Sequence, residues 1–225
     1  MNAAVNEDIS LPHWIAHVFD HPVRAAEPEW YWSPDATPWR GSSEQNVVLI
    51  AETFERAGGL LACFTDAQLN QGFWYLVSGC SSDLMLALVE PAVPLAGRLR
   101  ALRSFVPLFE QVMAARCSPH LSHLDEQPAS PLNAACYMWW DILCICGRPG
   151  EPERAEFDEE VLRVLQRLLA IPHDACRESA LHGLSEWQGC YPSARRMVDE
   201  WLAHTPDLRP EVVSYAQRAR VGMVQ

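Results

Sequence analysis

Apolar residues three and four apart run through almost every segment of this chain, the spacing a helix needs to bury one face. In FDEEVLRVLQRLLAIP, Val161, Leu162, Leu165, Leu168 and Leu169 form such a stripe. The spacing recurs in SSEQNVVLIAETFERAGG, which opens on serines suited to capping and closes on a Gly58–Gly59 stop. It recurs again in FTDAQLNQGFWYLVSG, where Thr65 is the expected cap and Leu69, Phe73, Leu76 and Val77 share a face. In PLAGRLRALRSFVPLFEQVMAARC, Pro107 predicts a kink. SPLNAACYMWWDILCICG is apolar nearly all round, which predicts a central buried helix. No segment shows sustained strand alternation between hairpin turns. The expected fold is therefore all-α, with antiparallel helix pairs stacked as an irregular solenoid or bundle. FDEEVLRVLQRLLAIP with ACRESALHGLSEW reads as one pair, and SARRMVDEWLAH with the last helix as another.

One stretch resists this pattern. Residues 22–42, PVRAAEPEWYWSPDATPWRGS, hold four prolines and the aromatics Trp30, Tyr31, Trp32 and Trp39. A connection of this length is expected to be functional or disordered, and the aromatics predict packing onto something. Residues 1–225 are read as a single helical domain with this non-helical insert.

Charge narrows the function classes. Arginine supplies all 17 basic residues, a bias that points to GC-rich coding and a bacterial source, and 29 acids bring the net charge to −12. An acidic surface opposes phosphate binding, so no nucleic-acid partner is expected. It favours a basic protein partner reached by electrostatic steering. No apolar run approaches the ~20 residues of a membrane span. The acidic opening MNAAVNEDIS lacks the basic and apolar regions of a secretory signal, so the expected location is cytoplasmic. The eight cysteines form no CxxC pair and are expected to be mostly buried small hydrophobes.

Chemistry-bearing residues cluster in several places. Glu178, His182 and Glu186 are four apart and would share a helix face, beside Arg177 and Cys176. A packed histidine partnered by Glu178 or Arg177 is the ordinary outcome, because a metal site would want a further ligand from another helix. Gly183, in mid-helix, is expected where another backbone comes near. His13, His17 and His21 form a second four-spaced set, read as a polar surface stripe. His120, His123, Asp125 and Glu126 sit in a connection that could do acid–base work if it faced a cleft. Asp141, among tryptophans, needs a partner if it is buried. There is no G-x-S-x-G, P-loop or G-x-G-x-x-G. No catalytic residue, metal or cofactor is assigned on these grounds.

Two stretches suit protein recognition. EPEWYWSPDATPW places Glu27, Glu29 and Asp35 among Trp30 and Trp32. EPERAEFDEE gathers Glu151, Glu153, Glu156, Asp158, Glu159 and Glu160. Aromatics beside carboxylates can receive arginine or lysine side chains.

PLNAACYMWWDILCICG and CRESALHGLSEW resemble parts of HEAT-like helical-repeat proteins of bacteria, a likeness that spans roughly residues 65 to 205. The resemblance implies a binding scaffold and carries no catalytic residue. Small acidic members of such groups resemble immunity proteins that neutralise a cognate toxin. The expected function is thus a non-enzymatic protein-binding module, an immunity protein against a basic toxin. The rival is a metal-dependent or acid–base hydrolase at His182, Glu178 and Asp141; a third reading is a scaffold with a small-molecule pocket lined by Trp139 and Trp140.

Overall fold

The computed structural model describes residues 9–24 and 26–224. The opening acidic residues before Ile9 lie outside the described residues. The helices are α1 (Leu11–Phe19), α2 (Ser43–Glu55), α3 (Ala57–Leu60), α4 (Asp66–Val77), α5 (Leu95–Arg103) and α6 (Phe105–Leu108). They continue as α7 (Ala114–Arg116), α8 (Leu132–Ile142), α9 (Ala155–Leu169), α10 (Asp174–Gln188), α11 (Pro192–His204) and α12 (Pro210–Ala219). The fold is all-α. Among the described residues the only strand-like pairing is an isolated antiparallel bridge between Ser78 and Leu143.

Local sequence sets the ends of these helices. Ser42 caps α2 by accepting the Gln45 amide, and the Gln45 side chain accepts the Ser42 amide at 2.8 Å. Thr65 and Gln68 make the same reciprocal pair at the start of α4. Both are capping boxes, which satisfy amides that the first turn leaves free. The expected stop at Gly58–Gly59 differs from the structure. Gly58 and Gly59 lie within α3, where the Gly58 amide donates to Gln111 Oε1 at 2.9 Å. Near Pro107 the chain breaks between α5 and α6 at Ser104, and residues 109–113 then widen into a π-turn. A proline ring displaces the carbonyl four residues earlier, which here is that of Arg103.

The buried apolar residues form one cluster running from Trp14 to Val224. At its centre Trp139 meets Phe54, Phe73, Phe105 and Phe109, with ring centroids 5.6–6.0 Å apart. The α8 helix packs on α4 on one side and α10 on the other, so it does lie centrally. Its helical part stops at Ile142, earlier than its apolar pattern predicts. Leu143 and Ile145 are buried while Cys144 and Cys146 are exposed, the alternation of extended chain. The α9–α10 and α11–α12 pairs pack as the sequence predicts, and α10 also contacts α8, α11 and α12. Of the cysteines only Cys117, Cys136 and Cys176 are buried; the other five lie on exposed connections, against the expectation of mostly buried thiols.

Candidate functional site

The Pro/Trp-rich insert folds back over α1 and α4. Among its described residues the only regular piece is a single 3₁₀ turn at Trp30–Trp32. His21 stacks on Trp30 with centroids 3.9 Å apart, and His17 and His13 meet the Trp39 ring edge or face at 5.3 and 5.4 Å. The four-spaced histidines thus form the bed on which the insert lies: His13 stays exposed as the surface-stripe reading expects, while His17 and His21 are half-buried under the insert, a correction to that reading. Their nitrogens are also engaged: His17 Nε2 lies 3.1 Å from the Tyr75 hydroxyl, and His21 Nε2 lies 2.7 Å from the His17 carbonyl. Burial holds the His17 imidazole down at about 4, with His21 and His13 adding repulsion.

Together the insert and α4 enclose a recess of about 460 Å³. Its aromatic wall is Trp30, Tyr31, Trp39 and Tyr75, with Asn46 and Asp83 among its polar lining. Trp39 is held by donating its indole N–H to Asn46 Oδ1 at 2.9 Å. A side chain at Gly41 would collide with that indole and amide, at 2.5 and 2.6 Å. Burial pushes the Tyr31 hydroxyl up to about 12, with the Glu29 carboxylate adding to the shift. Trp32 stands 53% exposed beside the recess, and Glu27, Glu29 and Asp35 are exposed on the same segment. Glu27 pairs with Arg24 at 3.0 Å. Trp30 is half-buried and forms wall, so it is available only through the recess.

The second acidic stretch divides. Glu153, Glu156 and Glu159 are exposed and Glu151 is partly so. Asp158 and Glu160 turn inward, which removes them from the expected partner surface. Asp158 is fully buried and accepts from the Arg148 amide at 2.7 Å, Arg154 at 3.1 Å and the Tyr191 hydroxyl at 2.7 Å. Glu160 takes Arg103 at 2.9 Å and Arg163 at 2.6 Å. Their helical register explains this: α9 presents Phe157, Val161 and Leu165 to the core, and Asp158 and Glu160 flank that face.

The loop between α7 and α8 is tied down. Glu178, buried on α10, accepts from the Ser122 amide at 2.8 Å, the His123 amide at 3.0 Å and His123 Nδ1 at 2.6 Å. Glu126 pairs with Arg209 across the molecule, and this guanidinium holds its carboxyl down at about 2. His123, Glu126 and Glu178 are thus occupied in fastening the loop to the body, while Asp125 is exposed.

Because Glu178 serves that loop, it does not partner His182. The His182 ring is fully buried, and neither nitrogen makes a hydrogen bond. The Tyr137 ring lies 5.0 Å away, and its backbone approaches the imidazole without good hydrogen-bond geometry. Burial lowers the His182 pKa against the pull of Asp141 and Glu186. Asp141 is exposed, so the condition under which it would need a protein partner is not met. One ligand atom each of Asp141, His182 and Glu186 lies within 4.8 Å of the others. Sequence spacing pairs His182 with Glu186, the hydrolase reading adds Asp141, and the packing of α8 on α10 brings Asp141 to the histidine while Glu178 turns away to the loop. Gly183, next to His182, has side chains and not backbone as its nearest neighbours: a Cβ there would meet Leu165 at 2.5 Å and Trp140 at 2.7 Å. Trp139 and Trp140 are both buried in the core, which gives the pocket reading no lining.

Among the described residues, no helix is long and apolar enough to cross a membrane. No family model, curated protein or solved structure matches this chain.

Proposed function

We propose that this chain is a non-enzymatic binding module whose aromatic recess receives a basic side chain from a protein partner, in the manner of an immunity protein that occludes a basic toxin. The observation that carries this reading is the recess itself. Four aromatic residues line one recess, with Asp83 in its wall and Glu29 beside Tyr31. A guanidinium or ammonium group over such rings gains cation–π attraction of about 0.5–2 kcal/mol, the larger value when water is excluded. Trp32, half-exposed at the edge, has the size and stiffness of an interface anchor.

The charge balance supports the same reading. On the insert and the start of α2, Glu27, Glu29, Asp35 and Glu44 face Arg24 and Arg40, so acids outnumber bases there as in the whole chain. Such a surface speeds encounter with a basic partner and repels nucleic acid. The exposed acids Glu153, Glu156 and Glu159 offer a second contact for a partner large enough to reach them. On this reading the protein works in the cytoplasm, needs no cofactor and acts by blocking. The hydrolase reading loses Glu178, whose oxygens are taken by residues 122 and 123.

Affinity capture from the native host tests the proposal, with wild type compared against a Trp32→Ala, Glu29→Arg double variant at low and high salt. The expected result is one basic protein held by wild type, released by salt and absent from the variant. Equal recovery on both would remove the recess from the proposal.

A further inference from the structure

A second site lies on the opposite part of the chain's chemistry, where α8 meets α10. We propose that Asp141, His182 and Glu186 bind a divalent transition-metal ion through one imidazole nitrogen and two carboxylate oxygens. The side chains come from two helices whose packing fixes their relation: His182 and Glu186 are one turn apart on α10, and Asp141 closes the set from the last turn of α8. Their candidate ligand atoms are all within 4.8 Å of one another. Two donors on one ion at about 2.1 Å can be at most about 4.2 Å apart, so rotation of exposed carboxylates is enough to close the shell.

The independent observation is His182. A fully buried imidazole with two unbonded nitrogens is an expensive arrangement, because a buried polar group without a partner loses the hydrogen bonds it had in water. A metal ion on one nitrogen answers that loss. No ion pair within the described residues involves Asp141 or Glu186, although most arginines of this chain are engaged by acids elsewhere.

The donor set selects the class of ion. Mixed imidazole and carboxylate ligation suits zinc, manganese or ferrous iron better than calcium or magnesium, which favour oxygen alone. With Asp141 and Glu186 at the exposed rim, the remaining positions on the ion face water.

Reduced, untagged, chelator-stripped protein titrated with manganese chloride tests the site, because manganese avoids the exposed thiols. One equivalent should bind and broaden the signals of residues around His182, with magnesium chloride binding at least tenfold more weakly. Asp141→Asn and Glu186→Gln alter exposed groups and leave the core intact, so each should retain the wild-type circular dichroism while losing at least tenfold in affinity. His182→Ala serves only if it remains folded by the same measure. No manganese or zinc binding by folded wild type, or binding that survives the Asp141→Asn, Glu186→Gln double variant, would overturn the assignment. The outcome is independent of the recess, since neither variant touches it.

Discussion

At the scale of single residues, the same carboxylate type does opposite work according to where its helix turns it. Glu159 and Glu160 are neighbours in sequence, yet Glu159 is exposed and Glu160 is buried between Arg103 and Arg163. Breaking a buried pair leaves charges without compensation and typically costs about 3–5 kcal/mol, whereas exposed substitutions stay within roughly 0.5 kcal/mol. Arg103 and Arg163 are themselves half-exposed, so the Glu160 value belongs at or below the lower end of that range. Glu160→Arg is therefore expected to lower stability by about 2–3 kcal/mol in urea unfolding, and Glu159→Arg to leave the midpoint nearly unchanged. Equal midpoints for the two variants would contradict the burial of Glu160. Glu126 adds a pH dependence. Its folded pKa of about 2 lies below the ordinary value of 4.5, so its contribution is complete above pH 4.5 and disappears as pH falls toward 2. The melting temperature of Glu126→Gln should accordingly trail wild type near neutrality and converge with it near pH 2. The gap should be modest, because the pair is partly solvated.

At the scale of elements, the chain spells out its helices and the sequential pairs α9–α10 and α11–α12, while the contacts of α10 with α8 and α12 come from packing between distant segments. Period and caps located α2, α4, α9 and α10, because a 3.6-residue repeat and a reciprocal Ser–Gln or Thr–Gln cap are local properties. What escaped the period was the end of α8. The letters LCIC alternate buried and exposed as extended chain does, but four residues of alternation inside an apolar run look the same as helix. The His182 environment escaped for a different reason. Its neighbours are set by α8, some forty residues earlier in the chain, and no local spacing encodes that packing. Glycine marks the tightest of these contacts at Gly72 on α4. A Cβ there would stand 2.3 Å from the Phe19 ring and 2.8 Å from the Val18 carbonyl oxygen. Since backbone cannot move aside as a side chain can, Gly72→Ala should push α1 from α4. The expected net destabilisation is about 1–3 kcal/mol, outweighing the ~1 kcal/mol that alanine gains in a helix. A Gly72→Ala variant as stable as wild type would mean that α1 does not sit this closely on α4.

At the scale of the whole molecule, the helices make a body and the insert makes the feature. The central helix α8 joins α4 to α10 through the Trp139 and Trp140 core, and the long non-helical segment is held against the body by His13 and His17 of α1 and by His21 just after it. The aromatics and acids of that segment are legible in the sequence, while their arrangement is not. Prolines suppress regular structure without saying what replaces it. The arrangement turns out to be a recess with an aromatic wall, so the expected surface contacts of Trp30 and Trp32 differ: one lines the opening and the other stands at its rim. Asp158 and Glu160, read from the acid run as partner contacts, instead hold α9 to its neighbours. On the proposed reading, a partner meets the exposed acidic excess that remains.

The most direct test of the recess uses the nine tryptophan indole N–H signals in a two-dimensional NMR spectrum. The protein would be titrated with a short oligoarginine peptide and, separately, with oligoglutamate. The account predicts that oligoarginine shifts the Trp30, Trp32 and Trp39 signals, that salt reverses the shift and that oligoglutamate leaves them in place. The buried Trp14 and Trp139 signals should not move. Absence of any shift at Trp30 and Trp39, or shifts confined to residues around Glu153 and Glu159, would contradict it.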